Sequence, residues 1–355
     1  MFFDSNNQTA ATGFDFLGFA AFQPTSGPLP ITPAQLNFSP SVSPPYDLVY
    51  AFPRHLQLPY TLEWNASIQQ ALGRSNAFTI TYVGANGRRL AQQQQFDLSL
   101  LNPTFTSVYF LQSGITSNYQ ALQLQFQRTV SRGIHALASY TWSHCLDFGS
   151  TYVALPSKRG NCDFDVRHNL QGGVTWDLPS VHGNRFGKAI LNKWGLDGRF
   201  MARTSFPITL TGQQIPNPAT GELSSGGVNL VPGQPIYLYG PEFPGGREVN
   251  RAAFSVPASG QAGNAPRNFV RGFGAWQVNL AARRDFPIFE RLTVQFRAEA
   301  FNIFNHPNFG FVDPRLSDAT FGQALRTLNQ SLGTVAAQYQ QGGPRSMQFA
   351  LKLVF

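Results

Sequence analysis

Strict alternation of apolar and polar residues is the feature of this sequence that most constrains its fold. Between residues 121 and 127 the apolar side chains are Leu122, Leu124 and Phe126, and the polar ones are Gln123, Gln125 and Gln127. Successive side chains of a β-strand point to opposite faces, so the pattern predicts strands with one apolar and one polar face. The same alternation recurs in the segments 61–72, 276–283 and 291–299. No window shows an apolar stripe of helical period, so we expect almost no helix.

Nine strands follow from this pattern, and the links between them alternate in length. The strands are expected at 60–72, 76–86, 118–130, 133–146, 164–178, 193–206, 274–286, 290–303 and 345–355. The links 73–75, 131–133 and 287–289 are tight, 179–192 is intermediate, and 87–117, 147–163, 207–273 and 304–344 are long. Antiparallel strands place alternate links on opposite edges, and outer-membrane barrels keep short turns in the periplasm and long loops outside. The sequence therefore predicts an all-β, antiparallel transmembrane barrel with long extracellular loops.

The composition is consistent with a barrel wall that contacts lipid on one side and water on the other. Charged residues make up 12% of the chain, against about 25% in soluble domains, and aromatic residues make up 14%. The mean hydropathy is nevertheless only −0.17. A soluble β-protein can have the same composition and mean hydropathy. The net charge of +8 comes from scattered residues rather than from a basic run, so we expect no nucleic-acid partner.

The N-terminus lacks the basic segment and apolar core of a signal peptide, although a barrel protein must be exported. We therefore expect the chain to be a fragment. In this interpretation, residues 1–59 are the end of an earlier strand plus an extracellular loop, and residues 60–355 are the C-terminal part of a barrel. No run reaches the ~18–20 apolar residues of a membrane helix.

The last residues of the chain form an apolar face that ends in an aromatic residue. Its members are Met347, Phe349, Leu351, Leu353 and Phe355. A terminal strand of this kind is similar to the signal that the bacterial barrel-assembly machinery recognises by adding a strand to an open edge. A final core strand of a soluble sheet is the alternative.

Two further groups of residues are candidate functional positions. Trp and Tyr prefer the membrane interface, which predicts an aromatic girdle of Tyr140, Trp142, Trp176, Trp194 and Trp276. The polar faces of the strands are expected to line the lumen and to contact substrate. The candidates there are Gln123, Gln125, Gln127, Arg297 and Glu299.

The sequence offers no catalytic, cofactor or metal site. The spacing of Cys145 and Cys162 fits no zinc motif, so the two residues form either a disulfide or two free thiols. Asp163, Asp165 and His168 are more typical of a polar loop-to-strand junction, with Asp165 and Arg167 as an ion pair, than of a metal site. Motifs such as G-x-S-x-G and H-E-x-x-H are absent. We therefore expect no enzymatic activity.

Six segments in a fixed order resemble the Oar-like TonB-dependent receptors, a family abundant in acidobacteria. These segments are 118–123, 139–144, 164–168, 250–254, 263–267 and 296–309. The resemblance implies a barrel of about 22 strands, of which this chain holds nine or ten, and a plug domain that it lacks. It also implies uptake of an unidentified small or polymeric substrate, driven through the TonB complex.

Two other functions are compatible with the sequence. One is a passive porin-like or adhesive barrel in the same membrane. The other is a secreted, soluble β-sandwich that binds glycans, since a sandwich also alternates apolar and polar faces. The membrane interpretation requires outer-membrane lipid as a partner, whereas the sandwich requires a second sheet against the apolar face.

Overall fold

The structure is a computed structural model, and it describes 46–98, 101–131, 133–149, 158–182, 184–212, 226–258, 261, 263–289, 292–328 and 342–355. Among the described residues, no helix is long and apolar enough to span a membrane. The strands in these ranges and one short α-helix define the fold. Two 3-10 turns, Pro244–Gly246 and Arg251–Ala253, complete its regular structure.

The elements occur in the following order along the chain. They are β1 (Tyr46–Ala51), β2 (Tyr60–Leu72), β3 (Asn76–Asp97), β4 (Phe105–Ser131), β5 (Ile134–Asp147), β6 (Gly160–Asn161), β7 (His168–Asp177), α1 (Arg185–Leu191), β8 (Trp194–Arg203), β9 (Pro207–Ile208), β10 (Asn229–Leu230), β11 (Tyr237–Tyr239), β12 (Arg247–Val249), β13 (Phe254–Ser255), β14 (Val270–Arg271), β15 (Ala275–Phe289), β16 (Leu292–Phe301) and β17 (Ser346–Val354).

Nine of these strands form one continuous antiparallel sheet in the order β2-β3-β4-β5-β7-β8-β15-β16-β17. Every strand pairs with its neighbour along this path without a crossover, and each of the nine predicted segments contributes one strand to this sheet. In the described residues the sheet is open, with β2 and β17 as its edges. β6 pairs with the end of β5, and β1 pairs with β4 in parallel.

The links fall on two edges of the sheet, as their lengths predicted. We call the edge with links 73–75, 132–133, 178–193 and 290–291 the short-turn edge, and the opposite one the long-loop edge. β17 runs antiparallel to β16 with Val354 beside Thr293, so the chain ends at the short-turn edge. The intermediate link 178–193 contains the short α-helix α1.

Three sequence expectations need correction or lie outside the described residues. The segment 87–117 is not a loop, because β3 and β4 continue as a paired ribbon to Asp97 and Phe105, with register shifts near Gly87 and Leu90. Residues 287–289 belong to β15 and do not form the predicted turn. Most of the segment 1–59 lies outside the described residues, and its part 46–51 is β1.

The two faces of the sheet differ in chemistry from one edge strand to the other. Residues paired across strands share a face, and the register therefore joins Ile68, Ile80, Leu124, Tyr140 and Leu170 into one apolar face. Many of its side chains are exposed, such as Ile68 at 73% and Leu351 at 75%. In the described residues no second layer covers this apolar face.

The long links fold into a compact cap at the long-loop edge. We define the cap as the described residues of 204–274 and 302–345. Its core contains Leu210, Val228, Val249, Ala253, Phe254, Val270, Val312, Leu316, Phe321 and Ala324. Three short strand pairs, β9 with β14, β10 with β13, and β11 with β12, order the backbone around this core. The cap is therefore a packed unit and not a set of independent loops.

Candidate functional site: the polar face and its cap

The polar face of the sheet carries a chain of ion pairs across four strands. We call this set the ion-pair ladder, and its members are Asp177, Asp197, Arg283, Arg297 and Glu299. Arg283 contacts Asp177 and, at 3.4 Å, Asp197, while Arg297 contacts Asp197 and, at 2.7 Å, Glu299. Each arginine joins two carboxylates, so the ladder fixes the side chains along β7, β8, β15 and β16. Two of the predicted substrate contacts, Arg297 and Glu299, thus belong to one network.

The three glutamines predicted from β4 lie on the same face of the sheet as the ladder. Gln123 pairs with Thr81 and Thr141, and Gln125 pairs with Thr79 and Ser139. Gln127 lies beside Leu137 on the neighbouring strand. The half of the polar face formed by β3, β4 and β5 is therefore mostly uncharged, and the half formed by β7, β8, β15 and β16 is ionic.

The five predicted girdle residues all lie on the apolar face. Tyr140 pairs with Leu170, Leu170 with Ala202, and Ala202 with Trp276, so Tyr140 and Trp276 share one level of the sheet. Trp142 is two residues nearer the long-loop edge. Trp176 and Trp194 lie towards the short-turn edge, next to Leu196 and Arg284 respectively. The five rings thus form two rows separated by an aliphatic band.

The C-terminal apolar face lies on the edge strand β17. Met347, Phe349, Leu351 and Leu353 pair with Ala300, Ala298, Phe296 and Val294 of β16. Phe355 follows the strand and is 89% exposed. One side of β17 pairs with β16, and in the described residues the backbone groups on its other side pair with no strand.

Asp165 is the centre of the junction between sheet and cap. Its side chain is fully buried and contacts Arg271, Arg167 at 2.9 Å and His144 at 3.2 Å, which confirms the predicted pair with Arg167. The backbone N–H of Cys145 also donates to it, at 2.8 Å. Burial opposes ionisation, but the hydrogen bonds from Arg271, Cys145 and His144 and the charge of Arg167 lower the pKa of Asp165 below 3.8.

A disulfide between Cys145 and Cys162 closes the same junction, so the alternative of two free thiols is wrong. The two Cα atoms are 5.4 Å apart, and the bridge spans 17 positions of the chain. It joins the end of β5 to the segment that follows β6. With Asp165 close by, it holds the start of β7 against the cap.

The sequence analysis did not explain the structural role of two segments, 263–267 in the cap and 296–309 at the end of β16. Arg267 forms ion pairs with Asp147 and, at 2.6 Å, with Asp163, which fastens the cap to the strand side of the junction. Gly263 has a φ of 71°, and a Cβ there would lie 2.6 Å from the carbonyl oxygen of Val228. Only glycine fits both conditions. The segment 263–267 is therefore needed to build the cap.

Asparagines at the end of β16 have a similar structural role. Asn302 is 1% exposed, has a φ of 47°, and donates to the carbonyls of His306 and Gly343. Asn308 is equally buried and accepts a hydrogen bond from the backbone N–H of Trp276 at 2.8 Å. These asparagines turn the chain from β16 into the cap. The asparagines at 302, 305 and 308, close to the end of a predicted strand, were the signal that the sequence offered.

A cavity of about 310 Å³ lies between the end of β8 and the cap. We call it the mouth pocket, and its lining is Arg203, Phe206, Pro207, Ile208, Thr209, Gly272, Phe273, Phe309, Gly310, Phe311, Val312, Pro314 and Leu328. The Arg203 guanidinium lies 4.2 Å from the centre of the Phe206 ring and donates to the carbonyl of Thr204. Among the described residues no carboxylate lies within ion-pair distance of Arg203. The pocket thus combines an aromatic wall with one cation.

The residues considered for a metal site do not converge on one point. Asp165 is bound by arginines, Cys162 is oxidised, and Asp163 accepts hydrogen bonds from Arg267 and Asn268. The His168 ring bonds to the hydroxyl of Tyr140 at 2.7 Å. In the described part of the chain, no group of three His, Cys, Asp or Glu side chains is placed to hold a metal ion.

Solved outer-membrane receptors and transporters are similar to the chain. The pyoverdine receptor FpvA of Pseudomonas aeruginosa PAO1, bound to pyoverdine, is 13% identical over 83% of this chain and 30% of that one, with a TM-score of 0.41. The copper transporter OprC is 8% identical over 86% of this chain and 33% of that one, with a TM-score of 0.39. The chain spans about a third of the length of these structures. No curated protein matches it.

A family model gives the assignment independently of these structures. The model for the outer membrane beta barrel domain matches residues 2–348, which is nearly the whole chain. Such a domain requires an antiparallel sheet with one apolar and one polar face, and with short turns at one edge and long loops at the other. The chain therefore belongs to the outer membrane beta barrel domain family, and its place is the bacterial outer membrane.

Proposed function

We propose that the chain is the C-terminal barrel portion of a TonB-dependent importer, which takes up an unidentified substrate with energy supplied through a plug domain. The observation that carries this proposal is the combination of a polar, ordered inner face with a packed cap at the long-loop edge. The order of the six segments that resemble Oar-like TonB-dependent receptors supports it.

We assign the lumen to the polar face, where Gln123, Gln125, Gln127, Arg297 and Glu299 lie, and the lipid to the apolar face. Hydrocarbon supplies no hydrogen bonds, and each unpaired backbone group there costs several kcal/mol. The two edge strands of the open sheet therefore need further strands in the complete barrel. A total of about 22 strands provides them, and the segment 1–59 leads from an earlier strand into this portion.

The aromatic rows support the same orientation. Trp194 and Ala202, the partner of Trp276, are eight positions apart on β8, or about 26 Å along the strand. A strand tilt of about 40° reduces this to about 20 Å across the membrane, close to the apolar band of about 25 Å in outer-membrane barrels. We propose that Trp176 and Trp194 mark the periplasmic boundary of the lipid and that Tyr140, Trp142 and Trp276 mark the outer one.

The C-terminal face of β17 is proposed to guide assembly. In the described part of the chain no strand pairs with its outer edge, and Met347, Phe349, Leu351, Leu353 and Phe355 supply a register for an added strand. The barrel-assembly machinery is the partner that this arrangement suits. A substitution of Phe355 by Ser is expected to slow insertion of the complete protein into the outer membrane without changing its folded structure.

The mouth pocket is the proposed first contact with substrate. It lies at the long-loop edge, which faces the exterior in outer-membrane barrels. Its aromatic wall and the Arg203 guanidinium suit a small molecule with an apolar body and an anionic group. The Arg203→Gln variant is expected to reduce uptake, whereas Arg345→Gln, at an exposed cap position just before β17, leaves it unchanged.

Uptake by the complete protein that contains this chain tests the proposal. Cells with and without the gene are grown in a defined mixture of nutrients, and the depletion of each compound from the medium is measured with TonB present and deleted. We expect one compound to be depleted only when both the gene and TonB are present. Depletion that is independent of TonB, together with swelling of liposomes that contain the purified protein, would instead establish a passive porin.

A further inference from the structure

The link between β7 and β8 is an ordered structure at the short-turn edge. The side chain of Asn184 caps α1 by accepting a hydrogen bond from Gly187 N at 2.8 Å. At the other end, Asn192 accepts from Val181 N at 2.7 Å and donates its own backbone N–H to the carbonyl of Lys188. Both ends of the helix are therefore fixed, and the link holds α1 in one position next to the sheet.

The helix is amphipathic, and its apolar side is exposed. Phe186, Ile190 and Leu191 are 81%, 61% and 53% exposed. At 3.6 residues per turn these three side chains share one side of α1, and Arg185 and Lys188 lie on the other. Among the described residues, none covers the apolar side.

The charge of the link has one sign. It contains Arg185, Lys188 and Lys193, and the segment 178–193 has no aspartate or glutamate. A basic, amphipathic helix with aromatic and aliphatic residues on one side suits an anionic lipid surface. A soluble protein partner would have to match both the exposed phenylalanine and the cations.

The helix α1 contacts the aromatic row at the short-turn edge. The indole N–H of Trp194 donates to the carbonyl of Ile190 at 2.8 Å. Trp194 lies on the apolar face, and the guanidinium of Arg284 is 5.3 Å from the centre of its ring. The C-terminal end of the helix is thus tied to the side of the sheet that we assign to lipid, at the boundary with water.

We propose that α1 binds the phospholipid leaflet at the short-turn edge. Phe186, Ile190 and Leu191 insert among the acyl chains, and Arg185 and Lys188 reach the phosphate groups of anionic lipids. Long basic side chains extend from a buried helix to the headgroup region in this way. The helix anchors the periplasmic end of the barrel in depth and makes it sensitive to the lipid charge.

A fluorophore at the tip of the helix tests the proposal. The complete protein carrying Phe186→Cys is labelled with an environment-sensitive dye, while its native cysteines remain in the disulfide. It is reconstituted in nanodiscs with or without phosphatidylglycerol. Leu325→Cys, an exposed apolar position of the cap, is the matched control. We expect lipids brominated in the acyl chains to quench the dye at 186 several-fold more than the dye at 325.

The role of charge is tested in the same system. Adding Arg185→Gln and Lys188→Gln to the labelled protein is expected to remove the extra quenching that phosphatidylglycerol causes. A dye at 186 that is quenched by a water-soluble quencher and not by brominated lipid would overturn the proposal. Protection from both the water-soluble quencher and the brominated lipid would overturn it as well, because protein would then cover the helix. Retained resistance to unfolding in SDS at room temperature shows that the barrel remains folded in each variant.

Discussion

The sheet and the cap differ in the exposure of their apolar side chains. The sheet displays them on one face, where Ile68, Phe349 and Leu351 are each more than 60% exposed. The cap hides them, so that Val228, Ala253 and Val270 are at most 1% exposed. Burial in a protein core and contact with hydrocarbon both remove apolar surface from water. One chain therefore uses lipid as the partner of its sheet and builds a water-excluding core for the part that extends beyond lipid.

The difference shows which region can support recognition. A packed core holds the cap and the mouth pocket in a defined shape before any substrate arrives, and such preorganisation reduces the entropy cost of binding. The junction at Asp165 joins the regions through side chains that come from residues 144, 165, 167 and 271. The cap is consequently expected to respond to core substitutions, and the sheet to substitutions that change its contact with lipid.

The largest effect is expected from emptying the core of the cap. Phe254 is 6% exposed and contacts the rings of Phe269 and Phe321, so Phe254→Ala should destabilise the cap by about 3–5 kcal/mol. Hydrogen exchange in lipid nanodiscs is expected to become faster in the cap segments 228–274 and 302–328 and to stay unchanged in β2–β5. Phe289→Ala, at a position that is 73% exposed, is the matched control. Equal effects of both variants would remove the distinction between the regions.

The disulfide should have the next largest effect, and it acts on the boundary between the regions. The double variant Cys145→Ser/Cys162→Ser releases a loop of 17 positions, which in the chain-entropy model costs about 3 kcal/mol. We expect faster proteolysis of the segment 158–168 while the sheet remains resistant. Loss of the entire sheet in this variant would mean that the two regions fold as one unit.

A matched pair of neighbours tests the two faces of the sheet. Phe126 lies on the apolar face between the aromatic rows, at the level of Phe200 on β8, and Gln125 lies next to it on the polar face. An arginine near the middle of the lipid costs about 2–4 kcal/mol. Phe126→Arg should therefore lower the stability of the barrel in a urea titration, and Gln125→Arg should have little effect. The opposite ranking would reverse the assignment of lumen and lipid.

Acid should weaken the junction and leave the sheet intact. The pKa of Asp165 is lower in the folded protein than in the unfolded chain, so the stability from its ion pairs is complete at neutral pH. It is lost as the pH falls through the folded-state pKa, below 3.8. Hydrogen exchange of the cap between pH 3 and pH 7 measures this, and Asp165→Asn is expected to remove the dependence. A wild-type cap that is equally protected at every pH in this range would contradict it.

The sheet was largely predictable from the sequence, because alternation is a local signal. The prediction failed beyond residue 86, where the polar run Gln92–Gln95 belongs to β3 but lacks alternation. The cap was not predictable, since its core joins Leu210, Phe254 and Val312 across about a hundred positions of the chain. At Asp165 the neighbour Arg167 was predicted, whereas Arg271, on a distant part of the cap, was not. The mouth pocket depends on the same long-range contacts.

Accessibility along β4 tests the central claim most directly. A spin label is placed singly at each position from 122 to 127 of the complete protein in lipid bilayers, and its collisions with oxygen and with a water-soluble nickel complex are measured. We predict strict alternation, with oxygen favoured at 122, 124 and 126 and the nickel complex at 123, 125 and 127. Labels at 122, 124 and 126 that neither reagent reaches would show that protein covers the apolar face, and the account would be wrong.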